Sequence, residues 1–307
     1  MSHATPTPEE DAPWVLAVAA HSTLGESPLW HPVEQCLYYC DIAEHQLRRF
    51  DPVTEELRHW QFETHLASIA PMRDGALLLA QRDGLWRFDR HTGQRTPLVP
   101  PPYDPAAFRF NDGKCDAQGR FWVGTLSDAR VPQSALYSFD RKRGLQVAAD
   151  GITVSNGLGF SPNGRTMYWA DTTSHTVFAF DVDPDVGALS NQRVFASFPL
   201  KQTGQDLDTY GGRPDGAAVD AEGCYWVAMY EGGRLLRIAP SGEVLRDVRV
   251  PVRCPTMPCF GGPDLRTLYL TTTREKRPEA ELAAQPWAGG VLSLKVDVPG
   301  LPTTFFG

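Results

Sequence analysis

Four oxygen-bearing side chains stand at matching places in a repeated pattern: Glu26, Asn111, Asn156 and Asp215. Each sits at the start of a short run of strand-forming residues. Carboxylate and amide oxygens are hard donors, suited to calcium, magnesium or manganese rather than to a thiolate-seeking metal. Two carboxylates brought together without a cation would repel, and one would take up a proton. A divalent cation removes that conflict. Taken singly, Asn156-Gly157 and Asp215-Gly216 are ordinary turn pairs, and Glu26 is an ordinary surface acid. Turn chemistry alone does not require oxygen ligands at matching places in several repeats, so the alignment carries the argument.

The repeat that must position these groups is clearest in Arg213 to Ala228. A small apolar run, Ala217-Ala218-Val219, leads into a tight turn, Asp220-Ala221-Glu222-Gly223, and returns through Cys224-Tyr225-Trp226-Val227-Ala228. β-Branched and aromatic residues make the return a strand, and the acid and glycine make the turn. Asn111 to Gly124 and Asn156 to Ala170 repeat the unit, and related units begin near Glu26, Ser68 and Thr256. The turn glycines Gly75, Gly119, Gly164 and Gly223 are spaced 44, 45 and 59 residues apart. A period in the forties, with about four short strands per unit, predicts an all-β, six-bladed β-propeller of four-stranded antiparallel blades. The expected blades are 24–63, 64–105, 106–150, 151–200, 205–250 and 251–298. The long third interval places an insertion of about a dozen residues between Pro199 and Arg213. Trp14 to Ala20 is expected to join Gly290 to Val298, so that both ends of the chain close the ring and leave no open edge. Residues 14–307 then form one domain behind a disordered leader, Met1 to Pro13. In a propeller the first strand of each blade lines the central channel, which is where the four oxygen ligands converge.

Composition limits the partners. The formal charge of −8 and the absence of a basic stretch argue against nucleic acid. No apolar run reaches membrane-spanning length. The leader lacks the basic and apolar regions of a secretory signal, so a cytoplasmic protein, monomeric or weakly homo-oligomeric, is the expectation. The six cysteines show no Cys-x-x-Cys spacing, and Cys36 and Cys40 lie too far apart along one strand to bridge, so buried thiols are expected. The histidines form no zinc-binding pair and read as solvated. No Gly-x-Ser-x-Gly occurs, and Ser155 has no nominated base.

At these residues the chain resembles the gluconolactonase/regucalcin family, also called the senescence marker protein family. The resemblance is carried by Leu24-Gly25-Glu26-Ser27-Pro28-Leu29-Trp30, Arg109-Phe110-Asn111-Asp112-Gly113-Lys114, Ser155-Asn156-Gly157, Pro214-Asp215-Gly216, Cys259-Phe260-Gly261-Gly262 and Ala288-Gly289-Gly290-Val291. It runs over about 14–298, in family order. It implies a six-bladed propeller with one divalent cation in the channel, calcium, manganese, zinc or ferrous iron, held by Glu26, Asn156 and Asp215. Arg109 and Asn111 match residues that contact a sugar lactone. Asp128 stands near an acid that some relatives carry after the Gly-Thr motif, with Ala129 beside it. The implied activity is hydrolysis of a pentonolactone or hexonolactone to the aldonic acid, of the xylonolactonase type in particular. The cation would polarise the lactone carbonyl, and Asp215 would take the proton of the attacking water, with hydroxide on the cation as the competing nucleophile. A calcium-binding regulator without turnover, a protein-interaction propeller and a phosphotriester hydrolase are the alternatives.

Overall fold

The computed structural model describes residues 6–307. Six four-stranded antiparallel sheets follow one another along the chain. Their first strands are Gly25–His31, Leu66–Pro71, Phe108–Cys115, Ser155–Phe160, Arg213–Val219 and Pro255–Gly261. Each of these touches the next, and the sixth returns to the first, so they form a closed ring around a channel. The sixth sheet takes its outermost strand from the other end of the chain: Val15–Val18 pairs antiparallel with Val291–Lys295.

The second strand of each blade lies between two neighbouring sheets, which explains its unbroken apolar runs. Leu37-Tyr38-Tyr39, Met167-Tyr168-Trp169 and Tyr225-Trp226-Val227 are all buried. The spaces between blades are filled by these side chains, as where Trp122, Phe160 and Trp169 meet between the third and fourth. Outer strands such as Leu57–Gln61 are largely exposed, so strand character falls away from the axis outward. The turn glycines Gly75, Gly119, Gly164 and Gly223 all have positive φ, 67–83°, the conformation their turns require. In two of these turns the acid does more than start the bend: Asp116 accepts from the Trp122 indole, and Asp220 from the Trp226 indole, both at 2.9 Å.

Two features depart from expectation, and a third lies beyond it. The leader is not structureless over its described part. Glu9 forms a parallel bridge with Val248, and its carboxylate accepts two hydrogen bonds from Arg246, at 2.8 and 2.7 Å. The rest of the leader, residues 1–5, lies outside the described residues. His31 and His175 are buried rather than solvated, and His175 lies 2.9 Å from the Pro199 carbonyl and 3.1 Å from the Tyr210 hydroxyl. The segment after the sixth blade also has a definite course. Leu301 to Thr304 line the lower end of the channel, Thr303 donates to the Trp30 carbonyl, and Phe306 is buried against Phe139 at 5.0 Å. The 198–212 connection does contain the expected insertion, with one short 3-10 turn, Leu207–Thr209.

The candidate active site at the mouth of the channel

The inner strands are not regular where the site residues stand. Pairing with the second strand shifts between Glu26 and Leu29, between Phe110 and Gly113, between Asn156 and Gly159, and between Pro214 and Ala217. A bulge re-aims the side chains beside it and twists the strand. Glu26 and Asn156 are the last paired residues before their bulges, and Asn111 and Asp215 lie inside theirs. The residues after Glu26 and Asn156 are left-handed, Ser27 at φ 47° and Gly157 at φ 59°. Gly157 also has no room for a side chain: a Cβ there would lie 2.3 Å from the Tyr225 hydroxyl. That hydroxyl donates to the Gly157 carbonyl at 2.7 Å, fixing the bulge from the neighbouring blade. The entries to two of these strands are held by acids at the ends of their partners. Asp41 accepts from the Thr23 and Leu24 amides, and Asp171 from the Thr153 and Val154 amides.

These devices bring Glu26, Arg109, Asn111, Asn156 and Asp215 together, from four blades, in one cavity of about 830 Å³. All five are buried. They are joined in a chain of hydrogen bonds. Arg109 Nη1 donates to Asn111 Oδ1 at 2.6 Å and to the Phe110 carbonyl at 2.9 Å. Asn111 Nδ2 donates to Asn156 Oδ1 at 2.7 Å, and Asn156 Nδ2 to Asp215 Oδ1 at 2.6 Å. Asn156 Nδ2 is also 2.8 Å from Thr172 Oγ1, whose own hydroxyl donates to the Pro214 carbonyl.

The electrostatics follow from burial. Desolvation first, then the neighbouring charges of Asp215 and Asp112, push the Glu26 carboxyl well above the usual range. Asp215 is pushed up to about 7, chiefly by burial, against the opposing pull of Arg213 and Arg109. Burial, followed by the charge of Arg130, brings Arg109 down to about 10. Two buried carboxylates and an amide oxygen in one cavity are a donor set that suits a hard divalent cation. Among the described residues no three His, Cys, Asp or Glu side chains are grouped so as to hold a metal ion by themselves; the third oxygen here belongs to an asparagine.

Asp128 is in the same cavity but not in the buried group. It is exposed at the rim, with its carboxylate paired to Arg82. Ser155 is not a nucleophile in waiting, since its hydroxyl accepts from the Trp169 indole at 2.6 Å. Three lining residues escape a sequence reading. Thr172 follows Asp171 at the end of a second strand, where only the repeat of Asp41 hints at a role. Tyr230 and His65 line the wall, and nothing in their spacing marks them. Burial, Arg109 and His45 bring His65 down to about 4, so its imidazole is neutral at pH 7.

Known proteins resemble this chain along nearly its whole length. Residues 24–274 match the model of the SMP-30/Gluconolactonase/LRE-like region. A 6-deoxy-6-sulfogluconolactonase of Pseudomonas putida is 40% identical over 286 residues, 93% of this chain and 95% of its own. Regucalcin of Xenopus laevis is 34% identical over 293 residues, 92% and 95% of the two chains. Among solved structures, the calcium-binding protein regucalcin of Agrobacterium tumefaciens superposes with a TM-score of 0.90 at 25% identity, covering 99% of each chain. The chain therefore belongs to the SMP-30/gluconolactonase/LRE-like family.

Proposed function

We propose that this chain is a cation-dependent hydrolase that opens a sugar lactone, a pentonolactone or hexonolactone, to the aldonic acid. The observation that carries this reading is the convergence of Glu26, Arg109, Asn111, Asn156 and Asp215 from four blades in one cavity. The lactonase name of the Pseudomonas putida relative supports it and puts a sulfonated hexonolactone among the substrates to try. Glu26, Asn156 and Asp215 would hold the cation, whose chemistry when bound is that of a Lewis acid toward the ester carbonyl. Asp215 takes the proton of the attacking water at its carboxylate. Asn156 and Thr172 hold that carboxylate in place through the hydrogen bonds to Asn156 Nδ2 and the Pro214 carbonyl. Arg109 has one nitrogen committed to Asn111 and Phe110, and its other N–H groups have no protein acceptor among the described residues. These donate to the sugar or to the developing oxyanion, a contribution of roughly 3 kcal/mol in the transition state. Asn111 fixes the Arg109 fork and is the second substrate contact, with Asp128 at the rim. A lactone is already electrophilic, so this modest apparatus suffices.

A second reading, calcium binding without turnover, is favoured by the regucalcin likeness. One experiment separates the two. The protein is stripped with chelator, and acid release from xylono-, arabinono- and gluconolactone and the sulfonated lactone is followed above the spontaneous rate. Calcium, manganese, zinc or ferrous iron is added back singly. Cation-dependent turnover is expected. Tight binding of a cation with no turnover of any lactone would leave the binding-protein reading standing alone.

A further inference from the structure

Five cationic side chains line the cavity: Arg82, Arg109, Arg130, Arg213 and Lys276. Three have carboxylate partners. Arg82 is paired with Asp128, Arg213 Nη1 lies 3.0 Å from Glu231, and Lys276 Nζ lies 3.9 Å from Glu275. Arg109 and Arg130 have none among the described residues, and the Arg130 guanidinium makes no hydrogen bond there either. Both line the one cavity that holds the buried acids. The acids Glu26, Asp128, Asp215 and Glu275 line the same cavity, but Arg130 has no protein partner among the described residues and is free to take an anion that enters. Arginine's planar fork matches a sulfonate or phosphate with two parallel hydrogen bonds. A solvated surface arginine needs no partner, and Arg130 is exposed. Its place decides against that reading, because it lines, exposed, the same cavity as the buried acids. Glu26, Asn156 and Asp215 are buried and Arg130 is exposed, so a lactone whose ester meets the acids would present its other end to the exposed part of the cavity.

We infer that the lactone taken by this site carries a tetrahedral anionic group, a sulfonate or a phosphate, on the end of the sugar away from the ester, and that Arg130 binds that group. This rests on the lactonase reading and names its substrate class. Arg130 is then a specificity residue, separate from the groups that act on the ester.

The test compares kcat/KM of the cation-loaded protein for 6-deoxy-6-sulfogluconolactone, 6-phosphogluconolactone and gluconolactone, in the wild type, Arg130→Gln and Arg130→Lys. The wild type is expected to prefer an anionic lactone over gluconolactone by roughly tenfold or more, the scale of a charged hydrogen bond. Whichever anionic lactone is preferred identifies the group. In Arg130→Gln that preference collapses, mainly through KM, and Arg130→Lys restores part of it as a point charge. Preference for gluconolactone in the wild type, or an equal loss on all three substrates in Arg130→Gln, overturns the inference. Should no lactone be opened, the lactonase reading fails by itself, and calorimetric binding of 6-deoxy-6-sulfogluconate against gluconate decides the anion site. Tighter sulfonate binding that Arg130→Gln abolishes upholds it, and equal binding overturns it.

Discussion

The two ends of the central channel are built from the same inner strands and carry opposite chemistry. At the mouth, Glu26, Asn111, Asn156 and Asp215 gather buried oxygens. At the lower end, the second halves of those strands line a cavity of about 380 Å³ with Leu29, Ile69, Phe160, Val219 and Met257. The one cation that lines it among the described residues, the half-buried Lys114, donates to the Ala217 carbonyl at 2.7 Å. Residues 301–304 line its far side. The bulges lie between the two ends. Above them side chains are re-aimed into a cavity where polar groups can meet a ligand; below them the strand resumes its regular pleat and packs like any core. The contrast teaches that function and stability are separated along the strand, rather than divided among the blades.

The sharpest way to break this division is at Asp215. Asp215→Asn is expected to lower turnover of the cation-loaded protein roughly a thousandfold, the scale of a lost general base. The fold should survive, since the change removes a buried carboxylate while Asn156 keeps an acceptor. Kinetics alongside thermal melting check this, and near-normal activity would remove Asp215 as the base. The reverse experiment is at the lower end. Phe306→Ala deletes a fully buried ring stacked on Phe139 and is expected to lower stability by about 3 kcal/mol. Chemical denaturation reads that loss, and kcat should stay close to that of the wild type. A large drop in kcat with unchanged stability would show that the lower end takes part in the chemistry.

The smallest effect lies outside both ends. Arg246 holds the Glu9 carboxyl below the usual carboxylate range. A depressed carboxyl stabilises the folded state above its unfolded value near 4.5, and that contribution is lost as pH falls through the folded value. The pair is half-exposed, so solvent screening keeps it below about 1 kcal/mol. Glu9→Gln should raise hydrogen exchange at residues 8–11 at pH 7 and leave both channel ends untouched. Acidifying the wild type through the folded value of Glu9 should lower the protection of the same amides relative to their intrinsic exchange rates.

Much of this was legible in the residues because the repeat is local. An apolar run, a turn glycine and an aromatic return strand lie within a dozen or so positions, and four turn glycines with the same backbone show that the alignment tracked real geometry. Ring geometry then brought Glu26, Asn111, Asn156 and Asp215 to one axis without any knowledge of contacts. The bulges were not legible, because the register shift depends on how two strands pair rather than on either one. Nor was the docking of Glu9, whose partner Arg246 is 237 positions away, or the burial of Phe306, which depends on Phe139. Thr172 and Arg130 belong to the same group. Thr172 meets the Pro214 carbonyl of the next blade, Arg130 meets the other lining residues only once the ring is closed, and neither carries a local signature.

The pairing of Val15–Val18 with Val291–Lys295 bears on how the protein comes into being. During synthesis the first strand waits for a partner that emerges only after the other five blades have been made. Until then the completed blades form an arc with unpaired strand edges, the kind of surface that recruits other chains. The channel, and with it the meeting of acids from separate blades, exists only when the arc becomes a ring. A chain that stops short of residue 295 therefore loses more than one strand of twenty-four: it keeps every site residue and loses the geometry that joins them.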